Sequence, residues 1–217
     1  MTTITYANPL EFKTIAKIIR EYKPELLVGT PLFLEGYVKQ SKAGDFASIK
    51  LAVSGADKCP EHLRILYREK HDIEIFEGYG TTETSPVISA NPRDRNKPGS
   101  IGTPIPGTEI RIQNLDTGAD CAVGETGKIL VKGDGVMLGY LNDIEESSLR
   151  LKSGWYDTGD LGYLDEDGYL WHKGRLKRFV KIGGEMVSLV MVEETMNALT
   201  PVEVECCAVE LPDSKRG

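Results

Sequence analysis

Short apolar runs alternate with proline-initiated segments in the first half of the chain, and this alternation restricts the fold more than any other feature. The runs Leu26–Val28, Ile49–Val53 and Asp72–Phe76 have the length and apolar character of buried strands. Between them, helices are predicted from Pro31 to about Lys42 and from Pro60 to about Lys70, because proline is favoured in the first turn of a helix. The order β-α-β-α-β predicts an α/β fold with a parallel sheet covered by helices.

After Pro98 the chain changes to short alternating runs separated by glycine and proline. Ile110, Ile112, Ile129 and Val131 alternate with polar residues, which is typical of strands with one buried face. The sequence Asp-Glu-Asp-Gly at 165–168 predicts a hairpin turn between two such runs. A small antiparallel sheet or barrel is therefore expected over residues 99–174.

The sequence of the last part of the chain, from residue 175, predicts a mixed α+β structure. Two short strands are expected around the turn Gly183-Gly184, followed by a helix over 189–200 and a strand over 204–211. The predicted organisation is thus an α/β part of a large domain over 1–98, a β-rich subdomain over 99–174, and the beginning of a small α+β C-terminal domain over 175–217.

Composition restricts the partners and the compartment. The net charge of −7 and the pI of about 5.1 argue against a nucleic-acid partner, because binding to phosphates independently of sequence requires a basic face. The four cysteines lack zinc-binding spacing, and Cys206 and Cys207 are expected to be buried free thiols in a reducing, cytoplasmic compartment. His62, His71 and His172 are expected to be structural or surface residues without partners.

The segment "EGYGTTET" at 77–84 directly follows the third predicted strand. In a parallel sheet, ligands bind at the carboxyl ends of the strands. Backbone N–H groups and threonine hydroxyls in a glycine-rich turn can hold phosphate oxygens, Tyr79 could stack on a base, and Glu83 could hold Mg²⁺. The alternative is a plain turn between a strand and a loop.

Two further segments carry charged residues that could bind a ligand. In "WYDTGD", Asp160 could accept hydrogen bonds from two ribose hydroxyls, or it could cap the backbone of its own turn. Arg175, Lys177, Arg178 and Lys181 form a basic cluster in an acidic chain. This cluster is either a solvated face or a site for an anionic substrate.

Five motifs follow one another along nearly the whole chain: "GYGTTE", "GSIGTPIPG", "GETGKILVKGDGVMLGYLN", "WYDTGD" and "GRLKRFVKIGG". Taken together and in this order, they resemble the adenylate-forming superfamily of acyl-CoA synthetases, luciferases and peptide-synthetase adenylation domains. The resemblance implies ATP and AMP as ligands, Mg²⁺ as the metal, and a fatty acid that is converted to an acyl-adenylate and passed to a pantetheine thiol.

The resemblance also implies roles for the strand-end residues. Gly55 and Ala56 would line the adenine pocket through their backbones, and Tyr79 would pack on the adenine. Gly80 would belong to the same nucleotide-binding turn. Residues 183–185 would lie near the pantetheine thiol in the second half-reaction.

The remaining implied roles concern catalysis and ribose binding. Thr82 would bond the α-phosphate and Glu83 would hold Mg²⁺. Asp160 would accept the ribose hydroxyls with assistance from Arg175, and Lys177 would be the hinge of a small C-terminal domain. Attack of a carboxylate on a phosphate needs alignment and charge stabilisation, so no Ser-His-Asp triad is expected.

The segment "VKIGGEMVSLVMVEE" resembles a narrower group, the bacterial proteins that join a 2-acylglycerophosphoethanolamine acyltransferase to an acyl-acyl-carrier-protein synthetase. This implies an acyl-carrier protein as thiol partner and a lysophospholipid as final acceptor, through a domain outside this chain. The parent protein would then associate with the inner face of the plasma membrane. The alternatives are a fragment of an acyl-CoA synthetase, with CoA as the thiol partner, and a non-catalytic module that binds an adenylate.

The chain departs from the superfamily pattern in two places. A Gly-, Ser- and Thr-rich loop ending in Lys-Gly does not occur before Tyr79, and a late lysine in a Gly-Lys context is missing. The chain is therefore expected to be a middle portion of such an enzyme, and to be inactive in adenylation on its own.

Overall fold

The computed structural model describes residues 2–182, 185–200, 204 and 206–211. They divide into two compact units. The first consists of the residues up to Glu109 together with Gly133–Leu138 and Asp167–Trp171, and the second consists of Ile110–Lys132, Gly139–Glu166 and the residues from His172 onwards.

The sheet of the first unit begins as predicted. Strands β1 (Leu26–Gly29), β2 (Leu51–Ser54) and β3 (Ile75–Gly80) are parallel, with Leu27 opposite Ala52 and Ala52 opposite Ile75. Two strands that were not predicted, β4 (Val87–Ala90) and β5 (Thr103–Pro104), then extend the sheet in antiparallel fashion. The predicted parallel βαβ half is confirmed, and the antiparallel strands β4 and β5 follow β3 in the same sheet.

Helices α1 (Phe12–Tyr22), α2 (Pro31–Gln40) and α3 (Glu61–His71) supply half of the buried core residues of this unit. Proline stands at the first position of α2, and the hydroxyl of Thr30 caps this helix by accepting a hydrogen bond from the N–H of Phe33. Burying these apolar side chains against the sheet is the main source of the unit's stability. The core side chains without solvent exposure include Leu34, Val38, Phe46, Ala52, Leu63 and Tyr67.

The second sheet is antiparallel, as predicted. It is built from β6 (Thr108–Gln113), β7 (Gly127–Gly133), the short β8 (Leu151–Lys152), β9 (Trp155–Leu164) and β10 (Leu170–Arg175). The order across the sheet is β10-β9-β7-β6, with β8 paired to β9. Strands β9 and β10 are neighbours joined through residues 165–169, which confirms the predicted hairpin.

A helix that was not predicted, α4 (Ile144–Arg150), precedes β8. The side chain of Asp143 accepts a hydrogen bond from the N–H of Glu146, so it caps the first turn. An acidic cap followed by two glutamates is a helix-start signal, and it was present in the sequence. The expectation of β structure alone in this part of the chain therefore missed a capped helix.

The C-terminal part begins as an α+β arrangement. Strands β11 (Phe179–Ile182) and β12 (Glu185–Ser188) pair antiparallel and lead into α5 (Leu189–Asn197). The Gly183-Gly184 turn predicted between the strands lies outside the described residues.

The strand predicted over 204–211 is wrong for the described residues of this segment, which adopt no regular structure. The N–H groups of Cys206 and Ala208 donate to the side chains of Asn197 and Glu193, at 2.8 Å each. Side-chain acceptors around α5 thus take the place of a strand ladder. Cys206 is half-buried and Cys207 exposed, so the expectation that both thiols are buried is also wrong. Among the described residues, no helix is long and apolar enough to cross a membrane.

Candidate functional site

The carboxyl end of β3 carries the glycine-rich segment. Strand β3 pairs with β2 on one side, where Ser54 lies opposite Glu77. On the other side it pairs with β4, and the register shifts between Tyr79 and Gly80. A Cβ atom on Gly80 would lie 1.7 Å from the carbonyl oxygen of Pro86, so only glycine fits. The close backbone approach at Gly80 therefore fixes the path of the chain directly after Tyr79.

A self-capped 3-10 turn over Thr82–Thr84 follows this strand. The N–H of Thr81 donates to the hydroxyl of Thr84 at 3.1 Å, and the side chain of Thr81 caps the turn in return. Glu83 is half-buried, and its carbonyl oxygen accepts a hydrogen bond from the N–H of Met137 at 2.8 Å. The turn holds the exposed Thr82 and the carboxylate of Glu83 next to each other at the strand end.

Gly55 and Ala56 follow the end of β2, adjacent to this segment. The N–H of Gly55 donates to the carbonyl of Gly29 at 3.2 Å, and a Cβ on Gly55 would lie 3.7 Å from the carbonyl oxygen of Gly78. Ala56 is exposed and has a φ of 68°, a left-handed conformation that costs an alanine about 1–2 kcal/mol. Strained backbone of this kind concentrates at functional sites. The first unit thus brings together Gly55, Ala56, Tyr79, Gly80, Thr82 and Glu83.

Beneath the segment lies a buried ion pair that sequence reasoning missed. Nη2 of Arg64, on α3, donates to Oε2 of Glu77 at 2.6 Å, and the N–H of Gly99 donates to the same oxygen at 2.8 Å. Burial opposes the charge of Arg64, but the hydrogen bond and charge of Glu77 outweigh it and raise the pKa of the guanidinium. No local pattern links positions 64 and 77, because the pairing depends on how α3 packs on the sheet.

In the second unit, Asp160 lies in the interior of β9 and its side chain is 2% exposed. Its N–H donates to the hydroxyl of Thr158, which itself donates to the carbonyl of Ile129. The preceding Gly159 has a φ of 75°, which glycine adopts readily, and its N–H donates to Oδ1 of Asp157. Hydrogen bonds within β9 and from β9 to Ile129 thus fix the backbone of this strand at Asp160.

Two potentially cationic side chains from β10 face the carboxylate of Asp160. Nε of Arg175 lies 3.4 Å from Oδ1, and Nε2 of His172 lies 3.6 Å from the same atom. The structure therefore places both Arg175 and His172 next to Asp160. Lys177, the predicted hinge residue, is exposed in the 3-10 turn Leu176–Arg178 that follows β10.

The expectation that the histidines lack partners is wrong. His62 lies 3.5 Å from a carboxylate oxygen of Glu35, and His71 contacts Ser41 and stacks on Phe46. Burial lowers the pKa of His71, with Lys70 acting in the same direction. These partners lie on other elements of the fold, so sequence periodicity could not reveal them.

Three of the four residues in the basic cluster are engaged with acids, and one of them is Arg175, which approaches Asp160 as described above. Arg178 forms a salt bridge with Glu193, which raises the pKa of the guanidinium, and Lys181 lies 3.6 Å from Asp116. The cluster therefore presents less uncompensated positive charge than the sequence suggests. Among the described residues, no group of three or more His, Cys, Asp and Glu side chains is placed to hold a metal ion.

Comparison with known proteins identifies the class. The model of a family described as "AMP-binding enzyme" matches residues 1–141. The chain therefore belongs to the AMP-binding enzyme family. The confirmed α/β fold, with its parallel sheet and antiparallel strands, agrees with solved members of this group.

Individual relatives are CoA ligases. The chain is 38% identical to a long-chain-fatty-acid–CoA ligase of Bacillus subtilis, over 97% of this chain and 37% of the relative. It is 33% identical to the corresponding ligase of Haemophilus influenzae, over 100% of this chain and 39% of the relative. Among solved structures, the o-succinylbenzoate CoA synthetase of Bacillus subtilis with its acyl-adenylate intermediate matches at a TM-score of 0.85 and 29% identity, over 95% of this chain and 42% of that chain. The chain thus spans about two fifths of the length of these proteins.

Proposed function

We propose that residues 1–217 form part of an ATP-dependent acyl-CoA ligase. In the first half-reaction, a fatty or aryl acid attacks the α-phosphate of ATP, which gives acyl-AMP and releases pyrophosphate. In the second, the thiol of CoA displaces AMP. The observation that carries the proposal is the strand end of β3, where a glycine-only approach and a self-capped turn present Tyr79, Thr82 and Glu83.

In the first unit, we assign the nucleotide roles as follows. The backbones of Gly55 and Ala56 line the adenine pocket, Tyr79 packs on the adenine ring, and Gly80 allows the close approach of the chain. The hydroxyl of Thr82 bonds the α-phosphate, since threonine in a turn of this kind can donate to a phosphate oxygen.

Glu83 fits a magnesium ligand in its chemistry. Mg²⁺ is usually held by one or two carboxylates together with substrate phosphates, so a single carboxylate next to the phosphate-binding Thr82 suffices. When bound, the ion would neutralise charge on the phosphates and assist their alignment.

In the second unit, we assign the carboxylate of Asp160 to the two ribose hydroxyls, with Arg175 assisting. A carboxylate offers two oxygens and about four lone pairs, which suits a diol donor. Burial and the hydrogen-bonded backbone of β9 hold this carboxylate in one place. We assign Lys177 as the hinge about which a small C-terminal domain rotates between the half-reactions, since it follows directly after the last strand of the second sheet.

CoA is a better proposal for the thiol partner than an acyl-carrier protein. The relatives described above are CoA ligases, which favours the CoA alternative over transfer to a carrier protein and onward to a lysophospholipid. An acidic carrier would require a basic docking surface, and salt bridges to Glu193 and Asp116 reduce the one that the sequence offered.

A chimeric ligase tests the proposal. Residues 1–217 would replace the matching segment of the Bacillus subtilis ligase, and acyl transfer would be measured with CoA and with acyl-carrier protein as acceptors. We expect ATP-dependent formation of acyl-CoA, reduced by Asp160→Ala about 10- to 100-fold, as for loss of hydrogen bonds to a charged group.

The chain alone is the matched control for the chimera. It contains no Gly-, Ser- and Thr-rich loop ending in Lys-Gly before Tyr79, so we expect no exchange of pyrophosphate into ATP. Exchange by the chain alone would contradict the assignment of catalysis to a longer enzyme. Transfer by the chimera to the carrier protein in preference to CoA would restore the carrier-protein reading.

A further inference from the structure

The carboxylate proposed to bind ribose has a second basic neighbour on β10. His172 and Arg175 approach the same atom, Oδ1 of Asp160, at 3.6 and 3.4 Å. Arg175 is 68% exposed and His172 is 33% exposed, whereas Asp160 is almost fully buried. A buried carboxylate is sensitive to each charge placed next to it, because few solvent molecules screen the interaction.

The two neighbours differ in how their charge depends on pH. A guanidinium stays protonated throughout the physiological range, so Arg175 supplies a constant charge. Histidine is the side chain that changes charge between pH 5 and 8. When His172 is protonated, its N–H and its charge attract Oδ1 more strongly than the neutral ring does.

We propose that His172 is a positioning residue for Asp160, and that its protonated form competes with the ribose hydroxyls of the ligand for Oδ1. This inference rests on the proposed function, in which those hydroxyls donate to Asp160. Oδ1 is one of the two oxygens that the diol uses, so an imidazolium held at Oδ1 reduces the acceptor capacity left to the diol and weakens its contribution to binding. His172 would thus tune ribose binding without contacting the reacting atoms.

The other charged groups of the two strands do not supply the same effect. Lys173, next to His172 on β10, lies over the ring of Tyr163 at 5.2 Å. Asp157, earlier on β9, is paired with Lys128 at 2.7 Å. Both side chains therefore interact with groups other than Asp160.

The test isolates the diol from the rest of the ligand. The chain is titrated with a 5′-O-acylsulfamoyl adenosine and with its 2′,3′-dideoxy counterpart at pH 6 and pH 8. We define the diol factor as the dissociation constant of the dideoxy ligand divided by that of the ligand with both hydroxyls. Contributions to binding that the two ligands share cancel in this ratio. We expect the diol factor of the wild-type chain to be about two- to fivefold smaller at pH 6 than at pH 8, as for a partly exposed ion pair.

His172→Gln is the matched variant, because glutamine keeps a hydrogen-bond donor and cannot become charged. Its diol factor should be the same at both pH values, with thermal unfolding run at each pH to confirm that the variant is folded. A wild-type diol factor that is large but independent of pH would overturn the role of His172 and leave the ribose site standing. So would an equal change with pH in His172→Gln. A wild-type diol factor near one at both pH values, unchanged in Asp160→Asn, would overturn the ribose site and this inference with it.

Discussion

Replacement of Gly102 by alanine should destabilise the first unit by at least about 3 kcal/mol, a large part of the stability of a typical domain. Gly102 has a φ of 82°, and a Cβ there would lie 1.9 Å from the carbonyl carbon of Ala90 and 2.2 Å from its oxygen. Ala90 pairs with Thr103 where β4 meets β5, so the clash is with backbone in a sheet and cannot be relieved by a side-chain rotation. Urea unfolding followed by circular dichroism measures the effect.

Gly107 provides the matched control. It has the same φ of 82°, but a Cβ at this position would have no atom within 4 Å. Gly107→Ala should therefore show only the cost of a left-handed alanine, about 1–2 kcal/mol. The difference between the two variants isolates the close backbone approach. Equal costs at the two positions would show that β4 does not pass Gly102 as closely as described.

Removal of Arg64 should produce the second large effect. Arg64→Ala is expected to cost about 3–5 kcal/mol, because it leaves the carboxylate of Glu77 buried without its charge partner. The side chains of Arg64 and Glu77 are 11% and 5% exposed. Glu77 stands two residues before Tyr79, so the same change should also loosen the segment proposed to hold the nucleotide. Urea unfolding at pH 7 measures the stability.

Two variants distinguish a buried pair from a general loss of packing. Glu61 is 71% exposed and accepts a hydrogen bond from the other terminal nitrogen of Arg64, Nη1, at 2.7 Å, so Glu61→Ala should cost at most about 1 kcal/mol. Adding Glu77→Gln to Arg64→Ala should recover part of the loss, since a buried amide is less costly than a buried charge. If Arg64→Ala costs no more than Glu61→Ala, the pair does not stabilise the fold.

The part of the fold that could be predicted from the sequence depends on local signals. Proline at the start of α2, glycine at the end of β1 and the apolar runs of β1 to β3 mark each element within a few residues. The pairing of β4 and β5 depends instead on backbone contacts between distant segments, such as the approach of Gly102 to Ala90. The segment at 204–211 has the composition of a strand, but the N–H groups of Cys206 and Ala208 donate to the side chains of Asn197 and Glu193.

The candidate site also has residues that could be predicted from local sequence and residues that could not. Tyr79, Thr82, Glu83 and Asp160 occur in motifs that can be read directly, because the chemistry of each motif lies within a few consecutive residues. The residues that contact or stabilise these positions from other elements do not occur in any motif. Arg64 reaches Glu77 across 13 positions, and His172 reaches Asp160 through the pairing of β10 with β9. Such contacts follow from the packing of elements, which periodicity and spacing leave open.

Calorimetric titration of the chain with a non-hydrolysable acyl-adenylate analogue tests the central claim most directly. The account predicts saturable binding that Asp160→Ala weakens at least about tenfold, as expected when a charged acceptor of two hydrogen bonds is removed. Asp167→Ala, which removes an exposed acid paired with Lys97, should leave the affinity unchanged. Absence of binding, or equal affinity in wild type and Asp160→Ala, would contradict the claim that this chain carries the nucleotide site of an acyl-activating ligase.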